Sequence, residues 1–200
     1  MISRSFWFAA MTLAASASVA AAQATFTPSY NAPYRAFESH EFGGTFSLPD
    51  GNRDFAIEGQ FRFGYKKFDI GLRGGLMDYE VGGSDVVLGV EGRGRLFDHT
   101  KGDIPLDGAI VVGLGTADFD AWTVPSAGLS VGRRVDLEGF SFVLYGQPTM
   151  FVFSGGDNTD LKFGLGLGAD FRVGQALDLR VSLGLFDGPE GLAASLVWVR

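Results

Sequence analysis

The 200-residue sequence contains no cysteine and only two histidines. Without disulfides, the fold has to be held together by backbone hydrogen bonds and side-chain packing alone. Basic residues are fewer than acidic ones, 16 against 23, and the net charge of -7 argues against a nucleic-acid partner. Helical periodicity is also missing, because no long stretch repeats its apolar residues with the period of 3.6.

One long apolar run is present, from Phe6 to Ala22. It ends in the small-residue pattern Ala22-Gln23-Ala24, which is typical of an export signal; a cut two residues earlier fits almost as well. No later stretch approaches the ~20 apolar residues that a membrane-spanning helix needs. We therefore predict a signal peptide over residues 1–24, a periplasmic lead-in or partial plug over 25–40, and one domain over 41–200.

Glycine and phenylalanine are abundant, at 30 and 19 residues. From residue 41 onward, apolar residues alternate with small or charged ones, which is the pattern of β-strands with one apolar face. In residues 159–173, for example, leucine, phenylalanine and alanine fill most odd positions and glycine or charged residues most even ones. Such segments occur at 41–48, 54–65, 68–77, 85–96, 105–115, 122–133, 138–153, 159–173, 177–186 and 191–199.

The predicted fold class is all-β: a closed, antiparallel, up-and-down barrel of about ten strands, because closure removes the exposed edges of so large a sheet. Pro125 and Pro148 lie inside strand candidates, and each removes a hydrogen-bond donor. Around Pro148 the apolar positions change parity, which suggests a β-bulge. An eight-strand barrel, with the first strand or the 105–133 region paired differently, stays open.

The turn at 174–176 fixes one register. It places Arg172 opposite Asp178 and Asp170 opposite Arg180, and opposite charges on facing strand positions stabilise a hairpin. Two such pairs from one register support the predicted hairpin.

The links between strands differ in charge. An up-and-down barrel collects its odd-numbered links at one end and its even-numbered links at the other. The odd links, such as PDGNRD and DYEVGGSD, are acidic, whereas the even links, such as YKKF and VGQA, are nearer neutral as a set. We call the first end the mouth and the second end the base.

Alternation alone does not tell a soluble barrel with an apolar interior from a membrane barrel with an apolar exterior. Three features favour the membrane: glycines on the polar face suit a crowded lumen, charges of both signs close together along single strands suit confined ion pairs, and aromatic residues gather towards both strand ends. The predicted luminal charge network consists of Glu58, Arg62, Asp69, Arg73, Glu91, Arg93, Arg95, Asp170, Arg172, Asp178 and Arg180.

Over residues 41–200 the alternating strands, together with the export signal and the chain length, resemble the small bacterial outer-membrane β-barrel proteins. The resemblance implies an even strand count, both termini in the periplasm, an acidic mouth outside the cell, and outer-membrane lipid and the assembly machinery as partners. Such chains usually end in an aromatic residue that this machinery reads. Here Trp198 is followed by Val199 and Arg200, which departs from the pattern.

No catalytic, cofactor-binding or metal site is predicted. The glycines of 164–168 lack the spacing of a dinucleotide loop. Residues 50–54 imitate the opening of a calcium loop, but Phe55 stands where that loop requires glycine. His40 and His99 have no evident nucleophile or base partner at the outer rim.

The predicted function is therefore a non-enzymatic outer-membrane barrel with a structural or surface role, in contact with an external surface or a small solute. A narrow barrel is largely filled by its own side chains, so we expect at most limited passage of small solutes. One alternative is a soluble periplasmic barrel that binds an apolar ligand inside. A second alternative is an outer-membrane hydrolase.

Overall fold

The computed structural model describes residues 25–33, 39–116, 123–155 and 158–200. The predicted signal peptide lies outside these residues. Among them, no helix is long and apolar enough to cross a membrane.

Ten antiparallel strands form a closed barrel in which each strand pairs with its neighbours in sequence and the first pairs with the last. This confirms the predicted all-β, up-and-down barrel and excludes the eight-strand alternative. The strands are β1 His40–Pro49, β2 Arg53–Tyr65, β3 Phe68–Tyr79, β4 Gly83–Phe97, β5 Asp107–Thr116, β6 Thr123–Leu137, β7 Phe140–Gly155, β8 Asn158–Arg172, β9 Leu177–Phe186 and β10 Gly191–Val199.

The alternating sequence gives the barrel wall two chemically different faces. Apolar side chains point outward; Phe61, Ile70 and Leu72 are 47%, 58% and 55% exposed. The intervening charged residues, such as Arg62 and Asp69, point into the lumen and are buried. The apolar face is therefore the exterior of the barrel, as expected for a membrane barrel and opposite to a soluble barrel with an apolar interior.

The two ends of the barrel differ in which parts of the chain they collect. The links after β1, β3, β5, β7 and β9 form the mouth, and those after β2, β4, β6 and β8 form the base. The barrel closes at the base, where the backbone N–H groups of His40 and Arg200 each donate to the other residue's carbonyl over 2.8 Å.

The bulge predicted around Pro148 is absent. Strand β7 keeps one register with β6 and with β8 on both sides of this position. The change in parity has another cause: the side chain of Phe151 points into the lumen, where it is fully buried and packs against Phe26. Register shifts occur elsewhere, between Arg53 and Phe55 and between Arg95 and Phe97.

Candidate functional site

The lumen contains a stretch of the chain itself. All nine residues of 25–33, which we call the luminal segment, are buried although none belongs to a strand. At the mouth side, Phe26 meets Phe153 edge-on at 4.8 Å between ring centroids, and the Arg53 guanidinium lies 4.8 Å from its ring. The segment runs from there towards the base.

The resemblance implied that both chain ends lie at the base, and the structure places one of them, because it describes the chain from residue 25 onward. Arg200 does lie there, paired with His40. Thr25 and Phe26, the first residues that the structure describes, lie on the mouth side. The residues from 25 to 33, expected as a lead-in or partial plug, are inside the lumen.

Hydroxyl groups of the barrel wall bind the main chain of the segment. The Ser182 hydroxyl on β9 donates to the Pro28 carbonyl over 2.7 Å and accepts from the Tyr30 N–H over 3.3 Å. The Tyr145 hydroxyl on β7 donates to the Tyr30 carbonyl over 2.8 Å. These contacts satisfy backbone groups that have no strand partner and would otherwise be buried at a cost.

The same pattern continues towards the base. The Ser130 hydroxyl on β6 donates to the Asn31 carbonyl over 3.0 Å, and the Arg93 guanidinium on β4 donates to the Ala32 carbonyl. Four different strands, β9, β7, β6 and β4, thus hold consecutive parts of one peptide.

Tyr30 sits against a wall position that only glycine allows. A Cβ atom on Gly166 would lie 2.2 Å from its ring, and one on Gly168 would lie 2.3 Å from the Tyr145 side chain. The predicted role of these glycines as small luminal residues agrees with this geometry, and their specific purpose is to seat two tyrosines.

Asn31 connects the luminal segment to the charged wall. Its amide nitrogen donates to Glu91 over 3.3 Å, and its amide oxygen accepts from Arg180 over 3.1 Å. Nearer the mouth, the Thr27 hydroxyl donates to Glu58 over 2.6 Å. An uncharged peptide therefore interacts with acidic and basic wall residues at once.

The wall charges form two groups of ion pairs on either side of Asn31. In the first group, Arg62 pairs with both Asp69 and Glu91, and Arg93 reaches Asp69 over 3.0 Å. All four side chains are buried.

In the second group, Arg180 lies between two buried carboxylates, 2.7 Å from Glu41 and 2.9 Å from Asp170. Arg172 and Asp178 pair over 2.5 Å at the base end of the same hairpin. The register places Asp170 opposite Arg180 and Arg172 opposite Asp178, which confirms the predicted pairing.

Three of the predicted charges have partners other than their neighbours along the strand. Arg73 is bound by Gln60 over 3.3 Å, and Glu58 accepts the hydrogen bond from Thr27. Arg95 pairs over 3.2 Å with Asp98 in the link that follows its strand. The ion pairs that do form within the lumen join different strands, because inward side chains converge across a narrow barrel.

Sequence reasoning missed several residues that fill the lumen. Glu41 was detectable, since it occupies the inward parity of β1 together with Thr45 and Ser47. Asn31 and Tyr30 gave no signal, because the stretch that contains them has no periodicity.

His99 lies at the base and belongs to a small polar cluster. Its ring Nδ1 is 2.9 Å from the Asp107 carboxylate, and its backbone N–H donates to the same carboxylate over 3.0 Å. Among the described residues, Asp98, His99 and Asp107 are the group whose ligand atoms lie close enough to share a metal ion. Asp98 is already bound by Arg95 and Thr100, which compete with a cation. His40 starts β1, its ring 4.7 Å from that of Phe63.

Neither a protein-family model nor a curated protein matches the sequence. Among solved structures, the chain is similar to the beta domain of the Bordetella autotransporter BrkA. The sequence identity is 13%, the match covers 81% of this chain and 98% of that chain, and the TM-score is 0.47.

The distribution of polar and apolar side chains in this barrel suits a membrane. A closed barrel satisfies its backbone hydrogen bonds internally, so its outer wall is able to face hydrocarbon. Apolar side chains cover that wall, while ion pairs and a buried peptide fill the lumen. A closed antiparallel barrel with an apolar exterior and a polar lumen is the arrangement expected of a barrel that spans a membrane.

Proposed function

We propose that this protein is a non-enzymatic outer-membrane β-barrel with a structural or surface role. We also propose that its own luminal segment blocks the lumen, so that the barrel does not act as an open pore. The observation that carries this proposal is the burial of residues 25–33 among the side chains of the lumen. Outer-membrane lipid and the assembly machinery are its expected partners, and the acidic mouth would face the exterior.

The apolar outer wall supports the membrane location. Leu72 is more than half exposed and lies near the middle of β3, where a charged residue facing lipid costs about 2–4 kcal/mol. We expect Leu72→Arg to destabilise the barrel in lipid vesicles, and Val81→Arg, in the link after β3, to leave it unchanged. A mature protein that stays in solution without detergent would instead support the soluble periplasmic barrel.

Closure of the lumen is tested by conductance in planar bilayers. The unaltered chain should give no large, stable steps, because the segment and the surrounding ion pairs fill the lumen. Deleting residues 25–33 should produce steps, and so should replacing them with nine glycine and serine residues, which keeps the length but loses the side-chain contacts. Large steps from the unaltered chain would contradict the proposal.

The His99–Asp107 pair is the observation that favours the hydrolase alternative, since a carboxylate commonly orients a catalytic imidazole. The pair lies at the base, away from the mouth where we expect the external face. We expect His99→Ala and His40→Ala to leave lipid and peptide hydrolysis by purified protein at background. A hydrolytic activity that His99→Ala removes would establish the alternative.

A further inference from the structure

The lumen binds the luminal segment largely through its main chain. Wall side chains donate to the carbonyl oxygens of residues 28, 30, 31 and 32. Ser182 also accepts from the Tyr30 N–H, so its hydroxyl binds the segment much as a neighbouring strand would. These contacts are made to backbone groups, which every peptide carries whatever its side chains.

Two positions in the lumen, which we call the seats, bind the side chains of Tyr30 and Asn31 and add side-chain selectivity. The Tyr30 ring occupies the space left by Gly166, and the Asn31 amide fits between a carboxylate and a guanidinium, with its donor towards Glu91 and its acceptor towards Arg180. A charged residue in place of Asn31 would leave one of these two buried partners facing a like charge. The seats therefore select an aromatic residue followed by asparagine.

None of these contacts needs the segment to be joined to β1. We propose that the lumen is a peptide-binding channel, that residues 25–33 act as its tethered ligand, and that it accepts a separate uncharged peptide with an aromatic–asparagine pair. This inference rests on the proposed closure of the lumen by the segment. A short tether raises the effective concentration of a ligand to about the millimolar range, so a free peptide competes poorly while the segment is present.

The test uses a fluorescent peptide with the sequence of residues 25–33, TFTPSYNAP, and purified barrel that lacks these residues. We expect the peptide to bind the truncated barrel in fluorescence anisotropy and to block its conductance, and not to bind the unaltered chain. A peptide with alanine at the two seat positions should bind about tenfold more weakly or worse, because it loses two hydrogen bonds to charged groups. Gly166→Leu in the truncated barrel should weaken binding of the native peptide, because the leucine fills the tyrosine seat.

A truncated barrel that is folded, conducts and does not bind the peptide would overturn the peptide-binding channel and leave the closure proposal standing. An unaltered chain that conducts would overturn the closure proposal itself. If the truncated barrel fails to fold, the full-length Tyr30→Ala/Asn31→Ala variant replaces it, since its tethered ligand is weakened. That variant should bind the labelled peptide; absence of binding there would overturn the inference.

Discussion

The two halves of the lumen are filled by different kinds of side chain: apolar ones in the mouth half and charged ones in the base half. In the mouth half, Phe26 of the luminal segment packs against Phe151, Phe153 and Val124. In the base half, inward positions carry ion pairs, and Asn31 sits between them. One peptide of nine residues passes through both environments.

This difference predicts how much stability each half loses when one of its residues is substituted. Apolar packing loses free energy roughly in proportion to the cavity left behind, and its surroundings are able to relax. A buried ion pair fails differently, because removing one member leaves the other charged, desolvated and without compensation. The base half should therefore be the less tolerant of single substitutions.

The largest effect should come from Arg180→Met. It leaves Glu41 and Asp170, which are both buried, without their shared cation, and losses of this kind cost about 3–5 kcal/mol. Urea unfolding in lipid vesicles measures the change. The control is Arg134→Met, which breaks the exposed pair with Asp136 and should cost at most about 1 kcal/mol. Equal losses in the two variants would show that the base half does not depend on its ion pairs.

In the mouth half, Phe151→Ala should cost about 3 kcal/mol, because it removes a fully buried ring and leaves a cavity beside Phe26. Phe163→Ala, on the neighbouring strand β8, removes an outward ring that is 58% exposed, so it leaves no enclosed cavity. We expect the first substitution to reduce the free energy of unfolding more than the second. The reverse order would mean that Phe151 does not pack in the lumen.

The sequence was sufficient for the wall of the barrel but not for what lies inside it. Period-two alternation located all ten strands, and the turn at 174–176 fixed a register that gave two correct ion pairs. These features are local, since each depends on neighbouring residues within one strand or one hairpin.

The contacts that could not be predicted from the sequence form only when the barrel closes. Arg180 meets Glu41 although β9 and β1 are separated by β10, and no local pattern relates the two residues. The apolar side chain of Phe151 on an inward position led to the wrong prediction of a bulge. Its packing partner, Phe26 of the luminal segment, lies 125 positions earlier in the chain, so no local pattern explained the apolar residue. Contacts to an aperiodic segment leave no repeating signal.

Asn31→Ala tests the junction between the halves. It removes hydrogen bonds to Glu91 and Arg180 and leaves both groups buried, which should cost about 2 kcal/mol. The control is Asn52→Ala in the mouth link after β1, where the side chain is exposed and the stability should be unchanged. Matching urea midpoints for the two variants would argue that Asn31 does not couple the segment to the ion pairs.

The smallest effect should come from Asp98→Asn, in the base link outside the barrel strands. A hydrogen bond of 2.6 Å from the Thr100 hydroxyl, with others from its N–H and from Lys101, lowers the pKa of Asp98 from 3.8 to about 2. Because the folded pKa lies below the unfolded one, the carboxylate contributes its stabilisation above about pH 4 and loses it as the pH falls through about 2.

We therefore expect the unaltered barrel to lose slightly more stability than Asp98→Asn as the pH falls from about 4 to about 2, measured by urea midpoints across this range. Solvent screening keeps this difference smaller than the loss from Arg180→Met. Parallel pH profiles would show that the Thr100 contacts do not stabilise the ionised form. A difference as large as that of Arg180→Met would instead mean that the base link supports the lumen, because a single carboxylate in a link at the rim does not supply so much free energy.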